Sequence, residues 1–81
     1  MTTTLDRITH DDPKVYIRLH ARSASKYSSL DSTATNHFME WQTRNYARLG
    51  YKSSEIVEST SEDDPSDNTH YFYTLVIRLK Y

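Results

Sequence analysis

The sequence has no cysteine, a single glycine and only two prolines among its 81 residues. Without cysteine, neither a disulfide nor a thiolate metal site can form, and this absence is typical of a reducing compartment. One glycine cannot build the glycine-rich loop that cradles a phosphate group. No apolar run approaches the ~18 residues of a membrane span, and residues 1–13 lack the apolar core of a secretory signal. We therefore expect a cytoplasmic protein with no membrane association.

The sequence also lacks an excess of charge of either sign. Lysine and arginine total 10, aspartate and glutamate total 11, and the formal net charge is −1. The charges are nevertheless separated along the chain, since seven basic residues lie between positions 14 and 52 and all six charges between positions 55 and 67 are acidic. Such a separation can steer a charged partner or simply keep a small domain soluble. The sequence leaves both interpretations open.

Three segments have the pattern of β-strands. Apolar residues alternate with polar ones over positions 14–20 and again, more strongly, over positions 69–81, which is typical of strands with one buried face. A weaker strand is centred on Ile56 and Val57, whose branched side chains favour extended backbone. The acidic loop between the last two strands is too short for a helical crossover, so these strands are predicted to form an antiparallel hairpin.

An amphipathic helix is predicted between the first and second of these strands. Its apolar stripe extends over about residues 31–49, and Gly50 follows at the position where a left-handed C-terminal cap favours glycine. The sequence thus predicts a single α+β domain over residues 14–81, preceded by a flexible N-terminal arm, residues 1–13, in which a short extended piece can form around Leu5 and Ile8. In this β-α-β-β fold the three strands form a mostly antiparallel sheet, and the helix packs on one of its faces.

The residue types that usually carry chemistry do not form a recognised motif. The four histidines lie on four different predicted segments, and His37 has Glu40 beside it on the helix but no second histidine at the zincin spacing. The acidic loop at 61–68 lacks the alternating spacing, central glycine and distal glutamate of a calcium loop. No serine lies in a nucleophile elbow. We therefore expect no enzymatic activity, no metal and no cofactor.

A basic and aromatic set of residues favours a binding function. Aromatic rings interleaved with cations can stack bases and hold phosphates, which makes nucleic-acid or nucleotide binding the alternative function. The set comprises residues from the outward face of the first strand and from the second half of the helix: Tyr16, Arg18, His20, Arg44, Arg48 and Lys52. A pI near 6.4 is low for a nucleic-acid-binding domain.

Apolar residues outside the predicted core point instead to a protein interface. Met39 and Tyr46 lie about 120–140° from the core direction of the helix, and Phe72 and Val76 face away from the core side of the last strand. A strand that is apolar on both faces has to be covered on both. Either long side chains or the N-terminal arm cover the second face, or a protein partner does, because such residues are favoured at interfaces. We predict an interface at these four residues and a homo-oligomer.

The order of elements resembles a known class of small proteins. A helix ending in Leu49-Gly50-Tyr51, a strand at 56–59 and a final strand at 71–81 resemble β-α-β-β proteins such as the dodecins, and short proteins of phages and sporulating bacteria. The resemblance implies this architecture and a tendency to form oligomers. Dodecins stack flavin on a tryptophan that precedes their second strand, whereas Trp41 lies within the predicted helix, so no ligand is implied here.

Many short proteins of phages and mobile elements act by occupying a surface of a host protein. We therefore expect a small, non-enzymatic interaction module, an inhibitor or adaptor of this viral type, that binds a protein partner.

Overall fold

The computed structural model describes residues 3–22 and 28–81. Their elements are, in chain order, β1 (Thr3–Asp11), β2 (Lys14–Arg22), α1 (Ser28–Leu49), β3 (Ser53–Asp63) and β4 (His70–Lys80).

All four strands form one sheet in the order β1-β2-β4-β3, and every neighbouring pair is antiparallel. β2 and β3 consequently run parallel to each other with β4 between them, and α1 connects them across one face of the sheet. The predicted α+β class with one helix on one face is confirmed, but the sheet has four strands and not three.

The additional strand, β1, lies in the segment predicted to be a flexible arm. It pairs with β2, and a bulge interrupts the pairing between Leu5 and Arg7. In a regular strand, residues three positions apart such as Leu5 and Ile8 point to opposite faces. The bulge adds one residue, so both side chains face α1, opposite Leu19 and Ile17. A search for strict alternation in the sequence therefore fails to detect this strand.

The core lies between α1 and the two central strands, β2 and β4. Its buried side chains come from these three elements and from the residue that follows Gly50: Val15, Ile17, Leu19, Ala21, Leu30, Ala34, Phe38, Tyr51, Tyr71, Tyr73, Leu75, Ile77 and Leu79. Every second residue of β2 and β4 thus faces the helix, as the period of a strand requires. The hydroxyl of Tyr73 donates a hydrogen bond to Asp31 in the first turn of α1, which ties β4 to the start of the helix.

The end of α1 agrees with the position of the only glycine. Gly50 has a φ of 70°, and its N–H donates a hydrogen bond of 2.8 Å to the carbonyl of Tyr46. This left-handed conformation carries no penalty for a residue without Cβ. The turn directs the next residue, Tyr51, into the core, where it is 1% exposed, and leads the chain directly into β3.

Candidate protein-binding surface

Strand β3 is the most exposed element of the protein. It lies at the edge of the sheet and pairs on one side with β4, while α1 packs mainly on β2 and β4. All 11 residues of β3 are exposed. The free side of an edge strand presents unpaired backbone N–H and C=O groups, and no described strand pairs with this side of β3. The result is a long, open strand edge.

Two candidate interface residues lie on the side of α1 that faces β3. Two contacts fix the rotation of the helix: Thr35 borders β3, whereas the Trp41 ring packs edge-on against His10 of β1 with centroids 5.4 Å apart. Because successive helix residues turn by about 100°, Met39 and Tyr46 fall on the same side as Thr35. These two candidate interface residues therefore lie on the β3 side of the helix and point away from the core.

Met39 and Tyr46 differ in their contacts with the rest of the fold. Met39 is 55% exposed and Tyr46 is 48% exposed. The ring of Tyr46 also packs edge-on against Tyr51, with centroids 5.0 Å apart, and the Tyr46 carbonyl accepts the hydrogen bond that caps the helix. Tyr46 therefore contributes to the fold as well as to the surface.

An open groove lies between α1 and β3. Its volume is about 300 Å³, and its lining comes from the helix and from both strands of the β3–β4 hairpin: Thr35, Phe38, Ser54, Glu55, Ile56 and Ile77. On β3, Ile56 is 58% exposed and Val57 is 41% exposed. A cluster of exposed apolar side chains beside a groove is typical of an interaction site. The helix–strand surface is defined here as Met39, Tyr46, the groove residues and the free edge of β3.

Phe72 and Val76, the other two predicted interface residues, lie on the opposite face of the sheet, called here the outer face. Val76 is only 3% exposed and offers almost no surface to a partner. Phe72 is half-buried, and the guanidinium carbon of Arg18 lies 4.0 Å from its ring centroid, the geometry of a cation–π contact. A long side chain of the protein itself thus covers Phe72, so the four predicted residues do not form one surface.

The basic and aromatic set also divides between the two faces. Its members on β2 lie on the outer face, whereas the two helix arginines are exposed on the other side of the sheet and the lysine lies just before β3: Tyr16, Arg18, His20, Arg44, Arg48 and Lys52. The six residues therefore do not form one continuous patch.

Strand β1 instead brings a second arginine to the outer face. A cleft of about 250 Å³ there is lined by residues from all four strands: Arg7, Thr9, Tyr16, Arg18, Glu62 and Thr74. The Nε atoms of Arg18 and Arg7 lie 3.6 Å and 3.9 Å from the carboxylate of Asp6. Asp6 and Glu62 offset the charge of the two arginines. The sequence could not assign Arg7 to this cleft, because residues 1–13 were not recognised as a strand.

Two histidine–aspartate pairs hold the connection between β3 and β4. One carboxylate oxygen of Asp64 accepts hydrogen bonds from the Ser66 N–H at 2.9 Å and hydroxyl at 2.8 Å, and the other lies 2.8 Å from Nε2 of His20. These hydrogen bonds, led by those from Ser66, lower the pKa of Asp64 to about 2. His70 Nδ1 lies 2.7 Å from Asp67, and the rings of His20 and His70 stack 4.8 Å apart. The pairs anchor this connection to β2.

Nothing in the described part of the chain groups three or more histidine or carboxylate side chains for metal binding. Across residues 3–22 and 28–81, no helix combines the length and the hydropathy needed to cross a bilayer. In comparisons with known proteins, no family model, curated protein or solved structure matches the chain.

Proposed function

We propose that the protein is a non-enzymatic module that binds a partner protein through the helix–strand surface. The observation that carries this proposal is that all 11 residues of the edge strand β3 are exposed beside an open groove. An edge of this length offers main-chain hydrogen bonds to another chain. It therefore supports recognition of a protein segment better than recognition of a small molecule.

The side chains around the edge of β3 can provide specificity, which main-chain pairing alone does not. In strand-addition complexes, the backbone provides affinity and pockets for alternate side chains provide specificity. Here Ile56 and the groove beside it can receive an apolar side chain. Met39 is flexible enough to adapt to it, and Tyr46 is the kind of aromatic residue that often anchors an interface. A module of this kind acts as an inhibitor or adaptor, of the type known from phages and mobile elements, by occupying its partner's surface.

Affinity capture from the native host with two matched charge variants tests this function. Ile56→Lys places a charge at the centre of the helix–strand surface, and Arg7→Glu changes the charge of the outer face; both side chains are exposed, so both variants should fold. The partner captured by the wild type should bind Ile56→Lys more than about tenfold more weakly, as expected for a central interface position. It should bind Arg7→Glu about as well as the wild type. The opposite pattern would refute the proposal.

A second candidate function is binding of a nucleotide or nucleic acid at the outer-face cleft. The observation in its favour is that Arg7 and Arg18 approach each other there with Tyr16 and two threonine hydroxyls in the lining. Phosphate binding weakens steeply as salt concentration rises, whereas an apolar protein interface does not. Under this alternative, Arg7→Glu abolishes binding and Ile56→Lys does not, so the same pair of variants separates the two functions.

The proposed module is cytoplasmic and forms a homo-oligomer. The lack of cysteine supports a reducing compartment. A thin core in a chain of this size favours self-association, and the exposed side chains of Met39 and Tyr46 are the surface on which it would occur. Because Val76 is buried and Arg18 covers Phe72, these two residues offer little surface for self-association.

A further inference from the structure

The distribution of charge on β3 distinguishes it from every other strand. Its charged residues are all acidic: Glu55, Glu58, Glu62 and Asp63. The pairing register puts three of them on the outer face, because they lie opposite outward-pointing residues of β4, whereas Asp63 lies opposite the core residue Tyr71. The edge of the sheet thus carries a row of carboxylates on one face.

The row is only partly neutralised. Glu55 lies 3.2 Å from Nζ of Lys80 and is paired in register with Arg78. Among the described residues, no ion pair neutralises Glu58, Glu62 or Asp63. Binding of a cation to Glu58 would therefore not have to break an existing ion pair, whereas Glu62 also borders the cleft that contains Arg7 and Arg18.

The two faces of β3 differ in chemistry. Beside the acidic row, the face towards the helix has Ser54, Ile56, Ser59 and Ser61, all opposite core residues of β4. This second face carries no charge over these four positions and borders the groove. Side chains alternate between faces in a strand, apart from the bulge between Ile56 and Glu58. A chain added to β3 would therefore meet the three glutamates and Thr60 on the outer face, and small or apolar groups on the face towards the helix.

The same charges argue against a second copy of this protein on the same edge. Pairing β3 with β3 of another copy would bring two acidic rows together, and like charges on neighbouring strands are destabilising. Charged residues on edge strands commonly prevent such association. An oppositely charged strand meets no such barrier, since complementary charge favours its encounter and fixes its register.

We propose that β3 accepts an extended, lysine- or arginine-rich segment of the partner protein as a fifth strand of the sheet. The basic side chains of this segment lie on the outer face beside Glu58 and Glu62. Its alternate residues are small or apolar and lie on the helix side, beside Ile56 and the groove. This inference rests on the proposed function and names the chemistry of the partner.

Synthetic peptides test the inference without knowledge of the partner. The probe is an eight-residue peptide of alternating lysine and valine with a fluorescent label, and its counterpart replaces each lysine with glutamate. We expect the lysine peptide to bind with saturable fluorescence anisotropy and the glutamate peptide not to bind. Glu58→Lys should weaken binding more than about tenfold by replacing attraction with repulsion. The control Glu40→Lys makes the same change of net charge on the exposed surface of α1 and should have little effect.

Backbone methylation separates strand addition from simple charge attraction. Two further peptides carry N-methyl groups either on all lysines or on all valines, and their charge is unchanged. In a paired strand, the N–H groups of alternate residues face the neighbouring strand. One methylated peptide should therefore bind more than about tenfold more weakly than the other, because several hydrogen bonds are lost together.

Equal binding of the two methylated peptides, or no binding of the unmodified lysine peptide, would overturn the inference. Either result would leave the proposed function standing if the captured partner still distinguishes Ile56→Lys from Arg7→Glu. Loss of that distinction would refute the function itself, so the two failures can be told apart.

Discussion

Replacing Phe38 with alanine tests how α1 is oriented on the sheet. Phe38 is 5% exposed and packs in the core, whereas its neighbour Met39 is 55% exposed. Truncation of a buried phenylalanine costs about 3–5 kcal/mol. Phe38 also lines the open groove, so the surroundings and solvent can fill part of the space, and we expect a loss near 3 kcal/mol by the same scale. A chain of 81 residues has about 4–12 kcal/mol of stability in total, so this variant should lose between about one quarter and three quarters of it.

Urea titration followed by circular dichroism measures this loss. The fluorescence of the only tryptophan provides an independent probe, since the rings of Trp41 and Phe38 stack with centroids 5.8 Å apart. The matched control is Met39→Ala, which should change stability by no more than about 0.5 kcal/mol, as is usual for surface substitutions. A loss of about 3 kcal/mol would also lower the thermal midpoint by at least ~12 °C in a domain of this size.

A difference in unfolding free energy of less than about 1 kcal/mol between the two variants would refute the reasoning, because burial of a single methylene group already contributes about 0.8 kcal/mol. It would mean that α1 does not present Phe38 to the sheet. The assignment of Met39 and Tyr46 to the β3 side would then fail as well, since it depends on the same rotation of the helix.

Three further predictions concern pH, the helix cap and self-association. The pKa of Asp64 is lowered from 3.8 to about 2, so the stabilising effect of its carboxylate is present above pH 3.8 and is lost as the pH falls towards 2. The difference in thermal midpoint between the wild type and Asp64→Asn should therefore shrink over that range. A constant difference would contradict this prediction. Gly50→Ala should lower the free energy of unfolding by about 1–2 kcal/mol through backbone strain alone, because no atom lies within 4 Å of the added Cβ. Gly50→Asn should lower it less in the same urea titration. Equal losses for the two variants would contradict a left-handed helix cap at this position. Light scattering should give an oligomer for the wild type and a smaller mass for Met39→Lys, and a monomeric wild type at all micromolar concentrations would exclude self-association.

The parts of the fold that the sequence predicts well are those with an uninterrupted local pattern. β2 and β4 alternate in steps of two, and α1 follows a period of 3.6, so both the element and its buried face can be derived from neighbouring residues. Gly50 marks the end of the helix for an equally local reason, since only the residue at that position needs a positive φ. β1 is not recognised as a full strand from the sequence, because the bulge between Leu5 and Arg7 interrupts its two-residue period.

The candidate site depends on contacts between residues that are far apart in the sequence, and a local sequence pattern does not reveal such contacts. The sequence indicates that Met39 and Tyr46 lie off the core stripe of the helix. It groups them with Phe72 and Val76, although the sheet separates the two pairs. That Val76 is buried, and that Arg18 covers Phe72, follows from the packing of long side chains across neighbouring strands.

Local patterns in the sequence are enough to predict a helix, strands on either side of it, and an acidic segment with little to bury. With just two apolar residues among its 11, β3 already had the composition of a strand that no second layer covers. The position of β3 at the edge of the sheet could not be predicted from these patterns, because the order β1-β2-β4-β3 results from the return of β4 between β2 and β3. That return leaves one side of β3 unpaired beside the groove, on the side of the helix that carries Met39 and Tyr46.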